Sequence, residues 1–224
     1  MLNHVAVIPD GNRRWAKKEG IAFQKAYIKG VDKVRDLLLW ANDYNIKTVT
    51  AWGFSTENFR RSGIFKNILF GVFEKKFREI AEDEDIHRDE VRVNVVGDRS
   101  FFPKGLLESI TLAEDATKDY KKRSLNIALG YGGRQEILEV CNRAVSLGKP
   151  LNDTDIRNAL MSSNVPDIDL LIRTSGEQRL SGFMPWQTAY SEFYFSNKLW
   201  PDFSRQDFAE AVNEFNSRQR RFGK

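Results

Sequence analysis

The chain holds one cysteine and two histidines among its 224 residues. A lone Cys141 excludes an intrachain disulfide and suits a reducing cytosol. In its helical stretch it reads as a small core residue. No Cys/His spacing matches a zinc site, and His4 and His87 are assigned no role. No apolar run approaches the roughly 20 residues that cross a bilayer, and the N-terminus lacks a signal-peptide pattern. Long basic runs and ribonucleoprotein aromatic motifs are also missing, so no nucleic-acid partner is expected. The glycine-lysine phosphate loop G-x-x-x-x-G-K-[ST] does not occur, which argues against a P-loop phosphotransferase.

What is present has the balance of a globular protein, 41% hydrophobic and 29% charged. Lysine plus arginine number 35 against 31 aspartate plus glutamate, a formal net charge of +4. That excess suits phosphorylated ligands or an anionic surface. Strand-like and helix-like segments alternate along the chain. Strands are expected at Val5–Pro9, Thr48–Phe54, Val91–Val96, Leu125–Leu129, 167–172 and Glu192–Phe195. Helices are expected at Lys25–Tyr44, Phe65–Ile80, Leu106–Tyr120, Arg134–Leu147, Asp153–Met161 and Ser204 to about Arg218. Such alternation predicts a single α/β domain over residues 1–224, with a mostly parallel central sheet flanked by helices. The helix Phe65–Ile80 is wide on its apolar side, with Leu69, Val72, Phe73 and Ile80 at helical spacing. It is either core or one wall of a hydrophobic tunnel enclosed by the fold.

In open parallel sheets, ligands sit beyond the carboxyl ends of the strands, and the polar motifs of this chain fall there. Asp10-Gly11-Asn12-Arg13-Arg14-Trp15 follows the first strand and opens a helix, where free backbone N–H groups favour an anion. Ser55-Thr56-Glu57-Asn58-Phe59-Arg60-Arg61 follows the second. Gly130-Tyr131-Gly132-Gly133-Arg134 follows another. Arg173-Thr174-Ser175-Gly176-Glu177-Gln178-Arg179-Leu180-Ser181 follows the fifth. Two arginines around a glycine and hydroxyls offer planar donor forks to phosphate oxygens. The pattern reads as two basic anion sites, each with a carboxylate nearby, in an enzyme that joins two phosphorylated substrates with a divalent metal. Glu192 lies among aromatic residues, where a carboxylate needs a partner.

Together these motifs, with Asn126-Ile127-Ala128, Trp200-Pro201-Asp202-Phe203 and Arg221-Phe222-Gly223, resemble the cis-prenyltransferases, the family of undecaprenyl diphosphate synthase. The resemblance covers essentially the whole chain. It implies elongation of an allylic diphosphate with isopentenyl diphosphate, making each new double bond Z. On the matching positions, Gly11, Asn12, Arg13, Arg14 and Arg61 would hold the allylic diphosphate. Arg173, Arg179 and Ser181 would hold isopentenyl diphosphate. Trp15, Ser55, Glu57 and Phe59 complete the expected substrate-binding set, and Asp10 and Asn58 are the expected catalytic residues. Mg²⁺ is expected on Asp10, with Glu192 from the same crevice or from a neighbouring subunit. Arg221 and Gly223 match a terminal Arg-x-Gly that implies a homodimer. A cytoplasmic location follows, with contact to a membrane surface for product release. The chain departs from the family's common residues at Tyr27 (often histidine), Phe23 (arginine nearby), Phe59 (tryptophan), Pro9 (methionine) and Arg13 (glycine). The acidic DDxxD repeats of trans-prenyltransferases are absent.

Overall fold

The computed structural model describes residues 1–60 and 62–218; Arg61, Arg221 and Gly223 lie outside them. The β-branched runs become six strands: β1 (His4–Ile8), β2 (Thr48–Ser55), β3 (Val91–Val96), β4 (Arg123–Tyr131), β5 (Leu170–Arg173) and β6 (Glu192–Phe195). They form one sheet in the order β3-β4-β2-β1-β5-β6. Every neighbouring pair is parallel, so all carboxyl ends share one edge. Parallel neighbours require long crossovers, and helices supply most of them. These are α1 (Asn12–Lys18), α2 (Phe23–Asp43), α3 (Gly63–Ile80), α4 (Glu84–Arg88), α5 (Lys104–Thr117), α6 (Gly133–Leu147), α7 (Asp153–Ala159) and α8 (Arg205–Ser217).

Alternation along the strands divides the core. Val5, Val7, Val49, Ala51, Val93 and Leu125 join Leu37 of α2, Phe73 and Phe77 of α3, Ile110 of α5 and Phe208 of α8 in the main cluster. Ala6, Ile8, Val96, Ala128 and Leu171 pack instead with Tyr131, Phe183 and Met184. Burying each large side chain contributes about 1.5–3 kcal/mol.

Three expectations change. The fifth strand begins at Leu170 rather than 167, because Asp169 turns its carboxylate onto β1: Oδ2 accepts from the backbone N–H of Asn3 at 2.8 Å and of His4 at 3.0 Å. The unforeseen α4 starts where Asp83 Oδ1 accepts from the N–H groups of Asp85 and Ile86. Cys141 is exposed, not core. Helix α6 buries the narrow row Gly133, Glu136 and Val140, and Cys141 lies one position round the turn from it.

His4, without an expected role, proves to be a buried structural residue. Its Nδ1 lies 3.0 Å from the carbonyl of Pro166 and 3.1 Å from that of Asp167, and Nε2 lies 2.8 Å from Thr50 Oγ1. A neutral ring serves both sides, donating from Nδ1 and accepting at Nε2. Burial pushes its pKa from 6.5 down to about 4, against the raising effect of those carbonyls and of Asp169 and Asp167. The unfolded chain therefore takes up the proton first. Stability is complete above pH 6.5 and drains away as pH falls towards about 4, with a slope of up to ~1.4 kcal/mol per pH unit. In His4→Asn, a plot of unfolding midpoint against pH should lose one proton's worth of slope in that window. An unchanged slope would remove His4 as the source.

Candidate active site

The site begins where β1 ends. After Pro9 and Asp10 the chain turns at Gly11, whose φ of 106° is unfavourable for any other residue, and whose missing Cβ would otherwise meet Leu199 Cδ2 at 2.9 Å. Helix α1 starts at the next residue. The end of β5 lies alongside, since Ile8 pairs with Arg173. That register brings the first and fourth polar loops together.

Arg173 joins them. Only 4% exposed, it donates from Nη2 to Asp10 Oδ2 at 3.0 Å. From Nη1 it donates to Ser181 Oγ at 2.9 Å and to the carbonyl of Arg179. Thr174 Oγ1 adds a bond to the Asp10 carbonyl at 2.7 Å. Burial pushes the Asp10 pKa up, but the hydrogen bond and charge of Arg173, with the charge of Arg14, outweigh it. The carboxyl is held below its ordinary value of 3.8 and is ionised at neutral pH.

Arg14, one turn along α1, reaches the same loop. It donates to the Ser175 carbonyl at 3.2 Å and to Ser175 Oγ, and lies 3.5 Å from both Asp10 and Glu177. Glu177 also pairs with Arg179. Ser175 at φ 78° and Ser181 at φ 53° hold left-handed backbone that is uncommon for such residues. Local strain of this kind persists where surrounding bonds over-determine the loop, and here Ser175 N–H donates to the Lys198 carbonyl at 2.6 Å and Gly176 N–H to that of Ser196 at 2.8 Å. From the neighbouring α6, Gly133 N–H donates to the Gly182 carbonyl at 2.9 Å.

The structure thus gathers Asp10, Arg14, Arg173, Arg179 and Ser181, with Gly11, Asn12 and Arg13 on the adjoining turn and helix. Arg13 is exposed. Ser55, Glu57, Asn58 and Phe59 stand at the carboxyl end of β2, the strand next to β1. Phe59 packs into an aromatic group with Phe54 and Phe101, ring centres 4.9 Å away in each case. Trp15 behaves otherwise than a free donor. Its indole N–H is committed to Asp202 at 2.7 Å, and its ring is buried beneath Lys29.

Glu192 requires a correction. It pairs with Leu170, at the amino end of β5, whereas Asp10 adjoins the carboxyl end. One chain therefore does not place both carboxylates in one crevice, because a parallel register keeps them at opposite edges. Glu192 has the partner that its apolar surroundings demanded, Arg218 at 2.7 Å. Among the described residues, no group of three or more His, Cys, Asp or Glu could hold a metal by itself. A single ionised carboxylate beside these arginines fits a divalent cation such as Mg²⁺, which keeps several waters and takes only one or two protein carboxylates.

A cavity of about 150 Å³ opens beside this loop and runs between α2 and α3. Pro9, Asn12 and Trp200 line one end, and Ile86 and Leu125 the other. Phe73, Phe77 and Ile80 face it, while Leu69 and Val72 are buried elsewhere in the core. Helix α3 is thus both core and cavity wall. Sequence reasoning missed Gly30 and Gly53. A Cβ on Gly30 would fall 2.3 Å from Asn12 Oδ1, and one on Gly53 would fall 3.2 Å from Phe73. Tyr27 also lines the cavity. Glycine inside a helix or strand pattern was the available signal for close approach.

An ionised, arginine-held carboxylate and two cationic loops stand at the mouth of a largely apolar cavity. Residues 8–223 match the family model described as putative undecaprenyl diphosphate synthase. The chain is 47% identical to a tritrans,polycis-undecaprenyl-diphosphate synthase (geranylgeranyl-diphosphate specific) of Pyrobaculum aerophilum, covering 99% of this chain and 95% of that protein. It is 40% identical to an isoprenyl transferase of Thermus thermophilus, covering 100% and 89%. Among solved structures, lavandulyl diphosphate synthase from Lavandula x intermedia in complex with dimethylallyl diphosphate superposes with a TM-score of 0.92 at 34% identity, covering 99% of this chain and 98% of that one. A probable undecaprenyl diphosphate synthase from Campylobacter jejuni gives 0.82 at 31% identity, covering 100% and 99%. The chain belongs to the cis-prenyltransferases, the undecaprenyl diphosphate synthase family, and condenses isopentenyl diphosphate with an allylic diphosphate.

Asp10→Ala should cut turnover about a thousandfold, on the scale of ~4 kcal/mol of transition-state stabilisation. Circular dichroism should show the fold intact. Near-normal steady-state turnover in the folded variant would take Asp10 out of the mechanism.

Proposed function

We propose that Asp10, Arg14, Arg173, Arg179 and Ser181 divide two diphosphates between them, and that the cavity between α2 and α3 receives the hydrocarbon tail. The observation that carries this is Arg173, which joins Asp10 of the first loop to Ser181 of the second at the cavity mouth. Gly11, Asn12, Arg13 and Arg14, with Arg61, hold the allylic diphosphate; Arg173, Arg179 and Ser181 hold isopentenyl diphosphate. Diphosphate departs as a concentrated anion, and preorganised arginines stabilise that charge as it develops. The isopentenyl double bond attacks C1 of the primer as the C1–O bond to diphosphate breaks, and the departing diphosphate takes up the proton lost from the new unit. Asn12 and Asn58 position the reacting groups.

Mg²⁺ belongs to this reading, held by Asp10 and screening the leaving diphosphate when bound. Glu192 would contribute from a second copy of the chain, since its own lies at the other edge of the sheet. A homodimer has a surface to use. Helix α6 leaves Leu138 60% and Val145 81% exposed, beside Ile137 and Cys141. Large exposed apolar residues on one element mark an association surface. No helix among the described residues is long and apolar enough to cross a membrane; a polyprenyl product is apolar, and its release at a membrane surface belongs to this reading. Sedimentation of Val145→Asp should show monomer where the native chain shows dimer. A native monomer would remove this part of the reading.

The relatives named for geranylgeranyl diphosphate support that primer here. The cavity of about 150 Å³ is the size that accepts a benzene-scale guest, so a long chain requires α2 and α3 to move apart. An ion pair crosses that seam, Lys76 to Asp32 at 2.6 Å, and a second ties Arg35 of α2 to Asp83 at the start of α4 at 2.8 Å.

The deciding assay incubates the protein with labelled isopentenyl diphosphate, Mg²⁺ and allylic primers of graded length, then sizes the dephosphorylated products. Long products with geranylgeranyl diphosphate preferred are expected. A single condensation on dimethylallyl diphosphate would point to a short-chain enzyme instead. Phe73→Ala should shift products to greater length, because each unit adds five carbons and Phe73 faces the cavity. A fall in melting temperature with unchanged product size would make it core alone, where Phe→Ala costs about 3–5 kcal/mol. Arg179→Ala should raise KM for isopentenyl diphosphate roughly tenfold with little change for the primer, about 1.4 kcal/mol, and Arg14→Ala the reverse. Equal effects on both substrates would sink the two-site division.

A further inference from the structure

At the amino edge of the sheet, away from the catalytic loops, the second face changes character. In register across β1, β2, β4 and β3 stand His4, Thr48, Ser124 and Arg92, and two residues further along Ala6, Thr50, Asn126 and Asn94. Parallel strands covered on both faces normally read as apolar runs. These rows are mostly polar, and the first ends in a cation, Arg92. Hydrogen bonds run through them: Asn94 Nδ2 donates to Asn126 Oδ1 at 3.1 Å, Asn126 Nδ2 to Thr50 Oγ1 at 3.2 Å, and Ser124 Oγ to Thr48 Oγ1 at 3.2 Å. Thr50 and Asn126 are fully buried, so the polar floor is built into the sheet.

Over this floor lies a cleft of about 380 Å³, lined by Lys47, Arg92, Lys121, Lys122 and Arg123, and by no acidic residue. None of the five cations forms an ion pair with a described residue. Arg123 is anchored by Nη1 donating to the Ile46 carbonyl at 3.0 Å, while its Nε is buried with no hydrogen-bond acceptor. Guanidinium forks and ammonium groups gathered in one cleft without a counter-charge suit phosphate oxygens as their acceptors. Asn94 and Ser124 add neutral polar groups on the floor. Strand β2, eight residues from Thr48 to Ser55, sets the cleft roughly 20 Å from the catalytic loops. A diphosphate held at Asp10 does not reach it.

We propose that this cleft is a second, non-catalytic phosphate site, taking a phosphate or diphosphate group either free or carried on a lipid headgroup. The full chain is titrated calorimetrically with inorganic pyrophosphate while unreactive thiolo analogues of both substrates fill the catalytic sites. One further pyrophosphate per chain is expected, weakened tenfold or more by Arg92→Glu and by Lys122→Glu, with prenyl transfer unchanged. Flotation with phosphatidylglycerol vesicles, against phosphatidylcholine controls, distinguishes the sources. Binding to phosphatidylglycerol alone, lost in the same variants, assigns the site to a lipid headgroup. Should Arg92→Glu fail to fold, the double change Lys121→Ala with Lys122→Ala carries the same comparison. Pyrophosphate and vesicle binding that are identical in the native chain and its variants would overturn the proposal.

Discussion

The Asp10–Arg173 ion pair ties the site to the fold. Arg173 ends β5 and Asp10 follows the end of β1 by two residues, and the pairing of Ile8 with Arg173 brings them together. Burying Arg173 would be expensive without a counter-charge, because removing one partner of a buried pair strands the other. The pair holds Asp10 ionised, and through Arg173 it also fixes the loop that carries Ser175, Arg179 and Ser181. A carboxylate and the arginines of two loops are therefore held in place by the fold itself.

The cavity follows from the same sheet. Its wall is the face where Ala51 and Leu125 look towards α2 and α3, and it opens beside Pro9 and Asn12. Close packing at Gly30 and Gly53 lets the helix and strand approach Asn12 and Phe73 without a side chain in between. The cavity and the charged loops thus meet at one strand end. The chemistry needs that junction, since a diphosphate leaves most readily where fixed dipoles and cations replace water.

Positive charge is divided between the two edges of the sheet. At the carboxyl edge the arginines are balanced by Asp10 and Glu177, which orient them. At the amino edge, five cations surround a polar floor with no acidic residue in the lining. A net charge of +4 conceals this contrast, because composition counts charges without placing them.

Alternating strand and helix patterns, and polar loops after successive strands, were legible in the sequence because periodicity and turn chemistry are local properties. So was the grouping of arginines with glycine and hydroxyls after the first and fifth strands, which the β1–β5 register brings together. Register and helix orientation are not local. Only the tertiary structure set Glu192 at the amino end of β6, turned Cys141 outward, gave the Trp15 indole to Asp202 and chose Phe73 over Leu69 for the cavity. In each case the sequence named a residue type suited to two environments, and long-range packing decided which one it occupies.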